Sequence, residues 1–174
     1  MKKLILILAI ALFPLFGSAQ SIFSQFEDND NVTTVVVNKK AFEMMSKINV
    51  DDKDAQEMID LIKGLDKLQV FTTEDAAIGA EMKGVIDGYL KTSKLSELLS
   101  VNDKNAKVNI FVKEGRNDNH VTELLMLVNG IKSGGQNTPE SVIISITGDI
   151  YLDKISSLIN GMNISGGEHL KTKN

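Results

Sequence analysis

The sequence predicts an α+β fold, in which one sheet includes a C-terminal antiparallel three-strand meander and the helices pack mainly on one face of the sheet. Two observations predict this class. In the first half, apolar residues recur mostly at helical spacing, whereas the second half has short alternating segments separated by turn residues. No repeat of fixed period and no low-complexity tract interrupts this order, so residues 32–162 are predicted to form a single domain.

The N-terminus has the order of residues found in secretory signal peptides. Lys2 and Lys3 precede an apolar run of 13 residues, and small residues follow up to Ala19. A helix that spans a bilayer needs about 20 apolar residues, so we expect cleavage after Ala19 instead of retention as an anchor. Residues 1–19 are then the signal peptide. The new N-terminus is Gln20, which begins a polar segment (20–31) leading into the domain.

Composition limits the compartments and the partners that are possible for this protein. Removal of Lys2 and Lys3 leaves 17 of the 19 basic side chains against 23 acidic ones, a net charge of −6. Nucleic-acid affinity depends on many Lys and Arg contacts, so we expect no nucleic-acid partner. The chain has no cysteine, which excludes disulfides, cysteine-based zinc sites and a lipid anchor on a thiol. We expect an exported protein, periplasmic or extracellular, without stable membrane insertion.

The first elements alternate strand and helix. Residues 32–37 are all β-branched and predict a pleated, largely covered strand. Two helices follow, and Asp51, Asp52 and Asp54 suit the first turn of the second helix, which Gly64 closes. The apolar positions of these two helices are Ala41, Met44, Met45, Ile48, Ala55, Met58, Ile59 and Ile62. A strand at 68–72 comes next, and the helical crossover allows it to pair parallel with the first strand.

A third helix is predicted to begin at residues 72–75, where a threonine side chain caps the free amides. Its apolar stripe consists of Ile78, Met82, Val85, Ile86, Tyr89 and Leu90. Gly79, Gly84 and Gly88 lie inside it, and each costs about 1 kcal/mol against alanine. Either close approach to a neighbouring backbone or a flexible helix explains them. Leu95, Leu98 and Leu99 then predict one or two further helical turns.

The second half predicts three strands and a final helix. Strands at 108–112, 121–128 and 142–147 are separated by turn-forming segments at 114–119 and 134–139, so we expect antiparallel pairing. Gly148 and Asp149 are predicted to begin a last helix, with Asp149 as its cap. The inner face of that helix is Tyr151, Ile155, Leu158, Ile159 and Met162. Residues 163–174 form a polar tail.

Several segments in this order resemble one family. They are Val32-Thr33-Thr34-Val35, Phe42-Glu43-Met44-Met45, Val70-Phe71-Thr72-Thr73-Glu74-Asp75, Phe111-Val112-Lys113-Glu114, Glu123-Leu124-Leu125-Met126-Leu127-Val128 and Ile144-Ser145-Ile146-Thr147-Gly148-Asp149-Ile150-Tyr151-Leu152-Asp153-Lys154-Ile155. Together they resemble domain-of-unknown-function family 4252, small exported bacterial proteins, over residues 23–160. The resemblance implies an envelope location and supplies no catalytic residues. This chain departs from relatives that carry an N-terminal cysteine for lipid anchoring, and its loop 130–140 is longer than the family pattern.

No segment predicts a metal or cofactor site. His120 lies beside a turn and His169 in the tail, and neither belongs to a sequence motif with the four His, Cys or carboxylate ligands of a structural zinc site. The acidic segment 27–31 lacks the glycine and the bidentate glutamate of a calcium-binding EF-hand loop. No phosphate-binding glycine loop is present. We therefore expect no metal and no cofactor.

Catalytic residues are not predicted either. No serine lies in a nucleophile elbow. Asp149 with Asp153, and Glu74 with Asp75, are the carboxylate pairs that could act as acid and base. Both pairs lie at predicted helix N-termini, where capping and the helix dipole account for them.

The sequence leaves two functional interpretations open. The first is a non-enzymatic module that binds an envelope protein, with the turn-rich loop as the contact element. The residues of that loop are Ser133, Gly134, Gly135, Gln136 and Asn137. A methionine surface on the helices could also bind a partner, although the position of each methionine on an apolar stripe favours core packing. The alternative is a carboxylate-based hydrolase or a small-molecule binding protein with a cleft between sheet and helices.

We predict that the exported protein starts at Gln20 and carries no lipid. The apolar run is too short to anchor the chain, and no cysteine is available for acylation. Intact-mass measurement of protein recovered from the envelope or the medium tests this. A mass that includes residues 1–19, or an added lipid, would contradict the prediction.

Overall fold

The structure, a computed structural model, describes residues 22–48, 51–102, 104, 106–117, 119–131 and 139–152. The predicted α+β class is confirmed, since the described residues form one six-stranded antiparallel sheet and four helices. In chain order the elements are α1 (Ser24–Glu27), β1 (Thr33–Asn38), α2 (Lys39–Met45), α3 (Lys53–Ile62), β2 (Leu65–Thr73), α4 (Ala76–Thr92), β3 (Ser96–Asn102), β4 (Lys107–Glu114), β5 (His120–Asn129) and β6 (Ser141–Tyr151).

The strands are arranged in the order β1-β2-β6-β5-β4-β3. From β3 to β6, each strand pairs with the next along the chain, and β2 joins the other side of β6. The predicted parallel pairing of the first two strands is wrong. Asn38, at the end of β1, lies opposite Lys67 near the start of β2, so α2 and α3 return the chain to the end of the sheet that it has just left.

The helical turns predicted around Leu98 and Leu99 are also wrong, because these residues belong to β3. This strand pairs antiparallel with β4, and the register shifts between Glu97 and Leu99. A bulge at that point breaks the period of two that identifies a strand. The remaining apolar spacing therefore resembles that of a helix.

Asp149 does not cap a helix, because β6 continues to Tyr151. Gly148 has a φ of 138°, which favours glycine, and a Cβ there would overlap the carbonyl oxygen of Gly64. Gly64 does not have a positive φ, and its missing side chain leaves room for the backbone of Asp149. The two glycines therefore allow β6 to approach the start of β2. Residues 153–162 of the predicted last helix lie outside the described residues.

Helices cover both faces of the sheet, which corrects the expectation that they pack mainly on one. Phe42 of α2 and Leu61 of α3 join Leu124, Met126, Ile144 and Ile146 on the first face. Met82 and Ile86 of α4 join Phe71, Leu125, Leu127 and Ile143 on the second face. Consecutive residues of β5 and β6 thus enter opposite cores, because side chains alternate along a strand.

The segment before β1 contributes to the second core, although it was expected to be a polar lead into the domain. Phe23 and Phe26, in and beside α1, are buried against Phe71. Their ring centroids lie 5.3 and 6.2 Å from that of Phe71. Aromatic contacts at such distances stabilise a core beyond the area that they bury.

The cap of α4 is Asp75, not a threonine. Its Oδ1 accepts hydrogen bonds from the backbone N–H groups of Ala77 and Ile78, at 2.7 and 3.2 Å. The hydroxyl of Thr73 accepts from the N–H of Asp75 and donates to the carbonyl of Asn31. Thr73 therefore holds the turn before the helix, while the carboxylate of Asp75 caps it.

The three glycines of α4 have different surroundings. A Cβ on Gly79 would lie 2.8 Å from Oγ of the buried Ser141, so this glycine permits close contact between α4 and β6. A Cβ on Gly84 or Gly88 would have no atom within 4 Å. Close approach therefore explains one of the three positions.

We predict opposite effects of alanine at two of these positions. Gly84→Ala is expected to raise the free energy of unfolding by about 0.5–1 kcal/mol, because alanine favours the helix and meets no neighbour. Gly79→Ala is expected to leave that free energy at or below the wild-type value, because its Cβ displaces Ser141. Urea unfolding of both variants provides the comparison. Equal stabilisation by the two substitutions would show that α4 does not need Gly79 for packing.

Candidate functional site

Two predicted functional segments cannot be placed. The cleavage site at Ala19 and Gln20 lies outside the described residues. The same is true of the predicted contact loop, which consists of Ser133, Gly134, Gly135, Gln136 and Asn137. Both remain predictions from the sequence.

The methionines predicted to fill the core divide into two groups. Met82 is fully buried and Met58 packs against the first core, as core packing requires. Met44 and Met45 are instead exposed, with 64% of Met44 accessible to solvent. Ile48, which follows the end of α2, is also 59% exposed. We refer to Met44, Met45 and Ile48 as the α2 patch.

The α2 patch is exposed because α2 is only two turns long and buries one large side chain, Phe42. The backbone N–H of Ile48 donates to the carbonyl of Met45, so the chain continues to turn beyond the last helical residue. Side chains three residues apart lie on the same side of a turn with this bond spacing, which brings Ile48 toward Met45. Met44 precedes Met45 in the chain and is exposed as well.

The edge strand β1 lies directly before this patch. It pairs with β2, and no other strand of the described residues pairs with it. Val35 and Val36 are both exposed, one on each face of the sheet. The prediction of a largely covered strand is wrong here, because a run of β-branched residues indicates a strand without indicating how many neighbours it has.

A buried histidine joins Asp149 near one end of the sheet. His120, at the start of β5, is 3% exposed, and its Nε2 lies 2.7 Å from Oδ1 of Asp149. Neither ring nitrogen of His120 has a hydrogen-bond partner in the described part of the chain. Nη2 of Arg116 donates to both carboxylate oxygens of Asp149, at 3.1 and 2.8 Å. The ring of Tyr151 stands edge-on to His120, with centroids 4.6 Å apart.

This cluster connects the β4–β5 turn to the end of β6. A general base must reach the proton that it removes, and the burial of His120 favours a structural role. The sequence suggested Asp149 as an acid–base candidate or a cap, but it did not indicate the contacts with Arg116 and His120. They lie about 30 residues away along the chain and are brought near by the pairing of β5 with β6.

A surface cavity of about 460 Å³ lies where β1 begins and β2 ends. Its lining consists of Asp30, Asn31, Thr33, Thr72, Thr73, Glu74 and Asp75. Thus the acidic pair Glu74 and Asp75 borders a cavity, with Asp30 as a third carboxylate. The carboxylate of Asp75 already accepts the two hydrogen bonds that cap α4.

Tyr89 connects α4 with β5. Its hydroxyl lies 2.9 and 3.0 Å from the two carboxylate oxygens of Glu123 and donates its proton to them. Burial raises the pKa of Tyr89 to about 12, and the hydrogen bond and negative charge of Glu123 contribute further. The protonated phenol is therefore the form that the folded state favours.

The described residues contain neither a metal-ligand cluster nor a membrane-spanning helix. Among them, no group of three or more His, Asp or Glu side chains is arranged to hold a metal ion. No helix in the same part of the chain is long and apolar enough to cross a membrane.

Comparison with known proteins gives one match. The model of a family described as "Domain of unknown function (DUF4252)" matches residues 26–158. No curated protein and no solved structure matches the chain significantly. The match agrees with the resemblance that the sequence motifs indicate.

We predict that Tyr89 ionises at about pH 12 in the folded protein. The chain has two tyrosines and no tryptophan, so Tyr151→Phe leaves Tyr89 as the single phenol in a near-ultraviolet absorbance titration. Because its folded pKa exceeds the usual value of about 10, its contribution to stability is complete below pH 10. That contribution is lost as the pH rises through about 12.

Glu123→Gln in the same background removes the negative charge and is expected to lower the pKa of Tyr89. A circular-dichroism measurement at each pH verifies that the protein is still folded. Ionisation near pH 10 in the folded Tyr151→Phe protein would contradict the contact with Glu123.

Proposed function

This chain belongs to the DUF4252 family, whose description assigns no activity, and we propose that it is an exported envelope protein that binds another protein through the α2 patch. The observation that carries the proposal is the exposure of Met44, Met45 and Ile48, three large apolar residues within five positions of the chain. The proposal of export rests on the order of residues 1–19.

The physical chemistry of the patch supports a protein partner. Single exposed apolar residues are common, but a group of large ones on one surface loses contact with water favourably when a partner covers it. Methionine is enriched at protein interfaces, because its flexible thioether chain adapts to different partner surfaces. Phe42 anchors the same helix in the core, so the patch is presented on a fixed support.

The alternative function, a carboxylate-based hydrolase or small-molecule binding protein, has the cavity beside β1 in its favour. Its volume is within the usual range for ligand pockets, but such pockets are mainly apolar, and this lining consists of carboxylate, amide and hydroxyl side chains. Glu74→Gln tests this alternative, because it would abolish turnover or ligand binding there without changing the α2 patch.

We predict that Met44→Gln combined with Ile48→Gln weakens binding to the envelope partner at least about tenfold, or ~1.4 kcal/mol. Glutamine keeps the side chains long and compatible with a helix but removes apolar area from the interface. The full chain, recovered after export, would be used to capture its partner from native envelope extract. Titration of the captured protein then gives the affinity of each variant.

Leu98→Gln is the matched control, because Leu98 is 49% exposed on β3, at the opposite edge of the sheet. Unfolding midpoints of all variants verify that the fold is retained. Equal affinity of the α2 variant and the Leu98 control would exclude the α2 patch. A deletion of residues 133–137 that alone abolishes capture would assign the contact to the loop instead.

A further inference from the structure

The two edges of the sheet differ in a way that concerns self-association. β3, at one edge, contains a bulge and the charged residue Glu97. Bulges and charges are the features by which edge strands avoid pairing with other chains. β1, at the other edge, has six residues in unbroken register and none of them is charged. Among the described residues, the edge at β1 therefore lacks both of these features.

The charges on either side of β1 have opposite signs. Asp28 and Asp30 precede the strand, and Lys39 and Lys40 follow it, each in an exposed ion pair within its own chain, with Asp66 and Glu43. If two copies of β1 paired parallel, each charged end would lie beside its own equivalent, and like charges would repel. In an antiparallel pair, the acidic end of each copy lies beside the basic end of the other. This complementarity occurs twice, because the pair has two-fold symmetry.

We propose that β1 pairs antiparallel with β1 of a second copy of this chain, about a two-fold axis at Val35, to join the two sheets. Directly opposite residues of an antiparallel pair have side chains on the same face. Val35 therefore meets Val35 of the second copy, and Thr33 meets Val37. On the other face, Thr34 meets Val36. No like charges are opposed within the paired strands.

Exposure of Val35 fits this arrangement. The side chain is 48% exposed and lies on the same face as Val37, which packs against the first core. Pairing covers this valine and satisfies the outward backbone groups of β1. The dimer goes beyond the proposed function, because the residues of the α2 patch lie outside β1.

The absence of cysteine from the chain permits a direct test of the register. Val35→Cys in the full chain, recovered after export, is expected to form a disulfide-linked dimer under mild oxidation, because cross-strand neighbours have Cβ atoms close enough for a disulfide. Leu98→Cys is the matched control at the other edge and is expected to remain largely monomeric.

Sedimentation velocity over a concentration series tests association without a cross-link. The wild-type chain is expected to dimerise reversibly. Val35→Lys and Val35→Glu, each alone, are expected to raise the dimer dissociation constant at least tenfold, because equal charges meet at the axis. An equimolar mixture of these two variants is expected to restore dimers, which a misfolded variant cannot do.

Wild-type protein that remains monomeric up to its solubility limit would overturn the proposal. So would equally fast cross-linking of the Val35→Cys and Leu98→Cys proteins, or a mixture of the charged variants that stays monomeric. Partner capture through the α2 patch is measured separately, so a monomeric result would leave the proposed function intact.

Discussion

Pairing of β5 with β6 at the centre of the sheet is the interaction on which the other elements depend. These strands contain the runs 124–128 and 142–146, whose residues are all buried. Strands covered on both faces have such nearly continuous apolar sequences. In a strand with one solvent-exposed face, apolar and polar residues alternate. Each run supplies both cores, so the helices on either side are fixed by the same two strands.

This central pair also accounts for the contacts at the end of the sheet. Antiparallel register places His120 opposite Tyr151, and Asp149 follows the glycine at which β6 meets the start of β2. Arg116, from the β4–β5 turn, then reaches the carboxylate of Asp149. An exposed ion pair contributes little stability by itself. Here the pair belongs to a group that includes a buried ring, and its geometry follows from the strands.

The outer parts of the molecule are the surfaces available for contacts. Among the strands that the structure describes, β1 has one neighbour, and α2 is too short to bury more than one large side chain. A longer helix such as α4 buries Met82 and Ile86 completely. Burial of each such side chain stabilises the folded state by about 1.5–3 kcal/mol. The apolar residues of the β1–α2 region therefore add less to folding, and their burial by another chain would still be favourable.

The sequence by itself determined the class of fold, the family and the positions of most strands and helices. These follow from local patterns, such as β-branched runs and apolar residues at helical spacing. It did not determine that Leu98 lies in a strand or that Asp149 is not a cap, since a bulge at each place breaks the local period. Only the tertiary structure decided which strand lies at an edge and which methionines are exposed. The physical reason is that exposure depends on neighbours distant along the chain, and a helix has the same apolar stripe whether or not another element covers it.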